Sequence, residues 1–178
     1  MIFDFITYME NVAQQHKSIA HDPSNGNDHY FRVSGVAGLE ELLSNINNAS
    51  FPALCVVDNP EGRLVDQSSN NVVDRQFYYF FLLKPADSLD ADSRQTAIDD
   101  CRTIARQILA RMFRDYLKEN RELTETTGLR YLQRDSITYK AIGPLGDNCH
   151  GMWVSFAVIN RTGISFDKNM WSDEETES

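Results

Sequence analysis

Residues 75–84 read Arg-Gln-Phe-Tyr-Tyr-Phe-Phe-Leu-Leu-Lys, and Pro85 follows. The stretch reads as a strand, but its seven central residues do not alternate between apolar and polar. Side chains of a strand point to opposite faces in turn. Phe77, Tyr79, Phe81 and Leu83 therefore face one way, and Tyr78, Phe80 and Leu82 the other. Both faces are apolar, so both must be covered. One can be covered by a long helix. The other needs the N-terminal helix or a neighbouring subunit.

That long helix follows at once. Over residues 91–119, Ile98, Cys101, Ile104, Ala105, Ile108, Leu109, Met112, Phe113, Tyr116 and Leu117 recur at steps of three and four. Asp90, Asp92 or Ser93 can cap its start, where acids suit the helix dipole. At about 1.5 Å per residue it is roughly 40 Å long, enough to span a small sheet. Arg102, Arg106, Arg111, Arg114 and Lys118 lie off the apolar stripe. They could bind an acidic partner, but off-stripe charges of this kind read first as a solvated helix face.

Towards the N-terminus, residues 2–20 carry a helical stripe of Ile2, Phe5, Ile6, Met9, Val12, Ala13 and Ile19. Pro23 and the Asn25-Gly26 step make 21–29 a loop. His21, Asp22, Asp28 and His29 could in principle hold a metal there, but flexible Asn/Gly loops seldom pre-form a site, and no metal or cofactor is expected. Residues 30–33 are a short extended piece. Leu39, Leu42, Leu43 and Ile46 predict a second, shorter helix. Ala53 to Val57 is a strand, and the polar stretch 61–73 reads as an exposed loop.

Towards the C-terminus, Gly128 marks a break. Ser136–Ile142 and Met152–Ile159 flank the turn-rich Gly143-Pro144-Leu145-Gly146-Asp147-Asn148, which predicts an antiparallel hairpin. Ile164–Phe166 is a candidate edge strand. The last six residues hold four acids and no base, and 167–178 reads as an acidic, disordered tail. The expected fold is a single α+β domain over residues 1–166, a mostly antiparallel sheet with the long helix and the N-terminal helix packed on it.

Composition narrows the function. The chain has 178 residues, of which 42% are hydrophobic and 24% charged, with a net charge of −9. This excludes wholesale disorder and collagen-like repeats. The charge argues against specific nucleic-acid binding or an anionic membrane surface. The start lacks the basic segment and unbroken apolar core of a signal peptide, and no window reaches the length of a membrane helix, so the chain is expected inside the cell when made.

Chemistry-bearing motifs are scarce. Walker A, G-x-G-x-x-G, H-E-x-x-H, C-x-x-C and G-x-S-x-G patterns do not occur. Three cysteines cannot form a complete disulfide framework. Cys55 and Cys101 read as small buried hydrophobes. Cys149 and His150 suggest a nucleophile pair, but neighbours in a strand diverge. The sequence therefore gives no support for an enzyme. The alternative to a structural role is a small intracellular binding module or enzyme with a pocket near Cys149 and His150.

Ten Phe, seven Tyr and two Trp, many in 75–84 and in the final hairpin, point instead to self-association. Candidate interface residues are Phe77, Tyr79, Phe81, Trp153, Asp147 and Asn148. The element order over Phe5–Ile19, Pro52–Val57, Phe77–Leu83, Ile98–Leu117 and Ile137–Ile159 resembles the tail-terminator and neck (head–tail joining) proteins of tailed phages and their contractile relatives. So does the turn at 143–148 followed by an aromatic strand. The resemblance implies a homo-oligomeric ring, often of six subunits, within a virion made in the bacterial host cytoplasm. Such a ring ends growth of the tail tube and joins the tail to the head connector. It also implies a negatively charged lumen to which passing DNA does not stick.

Overall fold

The computed structural model describes residues 3–34, 50–59, 61–66, 72–87, 89–124, 126–146 and 148–160. The expected helix at 39–46, the edge strand at 164–166, the tail and Asp147 lie outside these residues. The described chain runs α1 (Phe5–Gln15), β1 (Tyr30–Val33), β2 (Ala53–Val57), β3 (Glu61–Asp66), β4 (Val72–Pro85), α2 (Ala91–Glu122), β5 (Leu132–Leu145) and β6 (Cys149–Asn160), with 3₁₀ turns at Pro23–Asn25 and Leu129–Tyr131. It is the expected α+β fold, with a mostly antiparallel six-stranded sheet and both helices packed on it.

The sheet order is β1-β2-β4-β6-β5, and β3 also pairs with β4. β4 is the spine. On one side it pairs with β6 along its length, from Asp74↔Asn160 to Pro85↔Cys149. On the other side β2 takes residues 80–83 and β3 takes residues 72–77. The β1–β2 pair is parallel; the other pairs are antiparallel.

The decisive ribbon behaves as a two-faced strand. Tyr78, Phe80 and Leu82 join Leu54, Val56, Met152, Val154, Phe156 and Val158 under the helices. α1 adds Phe5, Met9, Val12 and Ala13 to this cluster, and α2 adds Cys101, Ile104, Ala105, Ile108, Leu109 and Met112. Phe80 and Phe156 are fully buried. The other face forms a smaller cluster of Val33, Ala53, Cys55, Val57, Phe81, Leu83 and Cys149, rimmed by half-buried Phe31, Tyr79, Ile142 and Trp153.

Three expectations are corrected. α1 does not cover the second face; it lies beside α2 on the first, because its apolar stripe continues the same core. The ribbon also does not depend on a neighbouring copy for its cover. Phe81 and Leu83 are buried within the chain, and of residues 77–83 only Phe77 and Tyr79 remain half-buried. Finally, the stretch 61–73 is not all loop, since β3 and the first two residues of β4 lie in it. β3 sits outside the core, so neither of its faces is under pressure to be apolar, and the alternation that betrays a strand is missing. Its pairing comes from the β4 backbone.

Local chemistry sets the helix ends. The Asp4 carboxylate accepts from the Thr7 amide and caps α1. α1 stops at Gln15 rather than continuing to residue 20. His16 is extended, and its Nδ1 accepts from the Ser18 amide, a local bond that competes with the helix. Asp90 caps α2 by accepting from the Asp92 amide. Between the elements, the 21–29 loop is held by its own side chains, with Asp22 accepting from Ser24 and Asn25.

The β4–β6 contact leaves no room at Gly151, where an added Cβ would collide with the carbonyl oxygen of Leu82. Gly151→Ala should therefore cost about 1–3 kcal/mol by forcing the two strands apart. Phe80→Ala should cost about 3–5 kcal/mol through lost burial and a residual cavity. Leu89→Ala, at a position 94% exposed, should stay within about 0.5 kcal/mol of the wild type. Urea unfolding of the three variants checks the order.

Candidate functional site

The sequence-predicted interface residues are only partly brought together. Tyr79 and Trp153 stack with ring centroids 5.8 Å apart at 26°, on the second face of the sheet. Lys140 Nζ lies 4.9 Å from the centre of the Trp153 ring, and the Arg75 guanidinium 5.1 Å from that of Phe77. Phe77 is half-buried on the same face. Phe81 belongs to the core rather than to a surface, because Cys55 and Trp153 flank it in register. Asn148 serves the turn: its amide donates to the Gly146 carbonyl, and its own carbonyl accepts from the Ala86 amide.

Cys149 and His150 begin β6 and are both buried. The thiol belongs to the second-face cluster. His150 is packed so closely against Gly143 that a Cβ there would come within 2.5 Å of its Nδ1. Its Nε2 has no hydrogen-bond partner among the described residues. Burial pushes the Cys55 thiol far up and the Cys101 thiol up to about 12, so both stay protonated and poorly nucleophilic at neutral pH. Among the described residues, no group of three or more His, Cys, Asp or Glu side chains could hold a metal ion.

A concavity lies elsewhere, between α1 and the C-terminal half of α2. It is a groove of about 1080 Å³. A polar seam joins its walls. The Tyr8 hydroxyl donates to Asp115 Oδ2 at 2.9 Å, and Arg111 Nε donates to the same oxygen at 2.8 Å. Arg114 reaches Asp115 Oδ1 at 3.3 Å. Arg111 also donates to Gln15 Oε1, and His16 Nε2 bonds Gln107 Oε1 at 2.9 Å. Partial burial, then the Asp115 charge and the hydrogen bond to it, hold the Tyr8 phenol well above its ordinary ionisation range.

Among the described residues two acids line the groove, and both are engaged. Asp115 is occupied as described. Glu119 is 1% exposed and accepts from Thr126 Oγ1 and from the Thr127 and Arg130 amides. It therefore ties the end of α2 to the segment that leads into β5. Lys118 and Arg121 line the groove with no ion pair among the described residues. The groove is thus cationic on a chain of net charge −9. The sequence marks Arg111, Arg114 and Lys118 as off-stripe, but nothing in it indicates that Tyr8, more than 100 residues away, would share Asp115 with them.

A second surface feature is the hairpin arm made of β3 and residues 72–77 of β4. Tyr78 is the first residue of β4 to belong to the helix-side cluster; before it on that face Gln76 and Asp74 are half-buried and Val72 is exposed. Leu64 is 58% and Val72 39% exposed. No family model, curated protein or solved structure matches this chain.

Alkaline titration tests the burial of the phenols. Tyr8, Tyr30 and Tyr78 all sit above the ordinary value of 10.0, Tyr78 at about 12, chiefly because of burial. Below about pH 10 folded and unfolded chains are both protonated at these groups, and the stabilisation is complete. Above it the unfolded chain loses protons first, so stability should fall as pH rises. Urea midpoints should drop from about pH 8 to about pH 11, and less steeply in Tyr8→Phe. At neutral pH that substitution should cost roughly 1 kcal/mol for the lost bond to Asp115. Glu119→Ala should cost about 2–4 kcal/mol, because it strands three donors at once.

Proposed function

We propose that this protein is a self-associating structural subunit that assembles into a ring, of the kind formed by tail-terminator and neck proteins of tailed phages. In that role it would end growth of a tail tube and present a docking surface to a head connector, as part of a virion. The observation that carries the reading is the β3–β4 arm. It extends beyond the helix layer and keeps two aliphatic side chains in solvent, in a chain whose other aliphatic strand residues are mostly buried. Leu64 and Val72 contribute nothing to the core. Leu64 and Val72 share one face of the hairpin, where together they offer an apolar contact to another chain.

Three further features support it. The order helix, paired strands, long helix, closing hairpin is that of the resemblance drawn from the sequence. The half-buried Phe77, Tyr79 and Trp153 give the second face an aromatic surface of the residue types enriched at interfaces. The net charge of −9 suits a ring through which DNA passes without binding. No helix among the described residues is long and apolar enough to cross a membrane.

Light scattering after size exclusion, at micromolar concentration, should give a mass of several chains, and negative-stain images should show annular particles. A monomer by both measurements, at every concentration tested, would overturn the reading.

A further inference from the structure

We infer that the helix-side face of the β3–β4 arm seats in the α1–α2 groove of a second copy. The inference rests on the ring reading and specifies its contact. In the arm's register Leu64 is opposite Asp74 and Asp66 is opposite Val72. Directly paired residues share a face, so this face is a checkerboard of two exposed aliphatic groups and two acids. The arm's cations, Arg63 and Arg75, oppose each other on the other face. Asp66 and Asp74 thus share the helix-side face with Leu64 and Val72 and no cation, while on the other face Glu61 is accompanied by the two arginines.

The groove has the complementary character. Leu117 is 60% exposed on its wall, and Tyr8 and Val12 line it from α1. Lys118 and Arg121 supply positive charge beside the Arg114–Asp115 pair, and among the described residues the groove's two carboxylates, Asp115 and Glu119, are already engaged. Aliphatic groups can meet Leu117 while Asp66 and Asp74 meet the cations. Complementary charge of this kind sets register and steers encounter more than it adds affinity.

The groove that receives the arm belongs to another copy, for a geometric reason. The arm is a direct continuation of β4, and β6 still pairs with β4 there at residues 74–77. Flanked by β3 and β6, that part of the arm is locked into the sheet and cannot fold back over its own helices. Arm and groove are also different patches, so the contact is heterologous. Each copy offers an arm to one neighbour and a groove to another, and such a contact closes into a ring when its rotation allows.

The test uses two defective full-length chains. Leu64→Lys places a cation on the arm face, and the double variant Lys118→Glu/Arg121→Glu inverts the groove. All three positions are exposed, so the fold should survive, which circular dichroism and the melting temperature check. Each variant alone should be monomeric, with self-association weakened at least about tenfold. Mixed in equal amounts they should form a heterodimer by light scattering, because one intact arm meets one intact groove, and growth should stop there. If both variants assemble like the wild type, or the mixture stays monomeric, the arm–groove contact is overturned while wild-type rings leave the ring reading standing. A wild-type chain that is itself monomeric overturns both.

Discussion

The fold depends on one strand being apolar on both sides and hydrogen-bonded on both edges. β4 pairs with β6 from Asp74 to Pro85, and with β3 and then β2 on its other edge. A strand in this position cannot slip by one residue without exchanging Tyr78, Phe80 and Leu82 for Phe81 and Leu83. The two clusters differ in size and shape, so the register is strongly specified. The helices follow from it. The wide face under Phe80 and Phe156 accepts the stripes of both α1 and α2, while the second face holds a smaller cluster of its own.

The two helices meet differently from the way each meets the sheet. Their inner faces bury aliphatic and aromatic groups, but their shared outer seam is polar, built on Asp115 with Tyr8, Arg111 and Arg114. Side chains rather than close backbone packing bridge this seam, and an open groove lies along it. Glu119, buried one turn beyond Asp115, holds the following segment against the helix end. The groove thus has fixed walls, although it lies at the surface.

Charge is distributed unevenly over this frame. The chain is acidic as a whole, yet the end of α2 is cationic and one face of the arm is acidic. The long outer edge strand, β5, is poorly suited to edge pairing. Its register with β6 shifts twice, and Lys140 lies along it. Uncontrolled sheet extension through that edge is thereby disfavoured.

Several features were legible from residue types alone. The α+β class, the two-faced strand at 77–83, the long amphipathic helix and the final hairpin all announce themselves, because burial imposes periods of 2 and 3.6 on the residues that face a core. β3 did not, because a strand outside the core carries no such period. That both helices share one face, that Phe81 is enclosed by its own chain, and that Tyr8 reaches Asp115 were decided only in three dimensions. Each depends on which distant segments become neighbours, and a pattern of local hydrophobicity says that a side chain must be covered without saying by what.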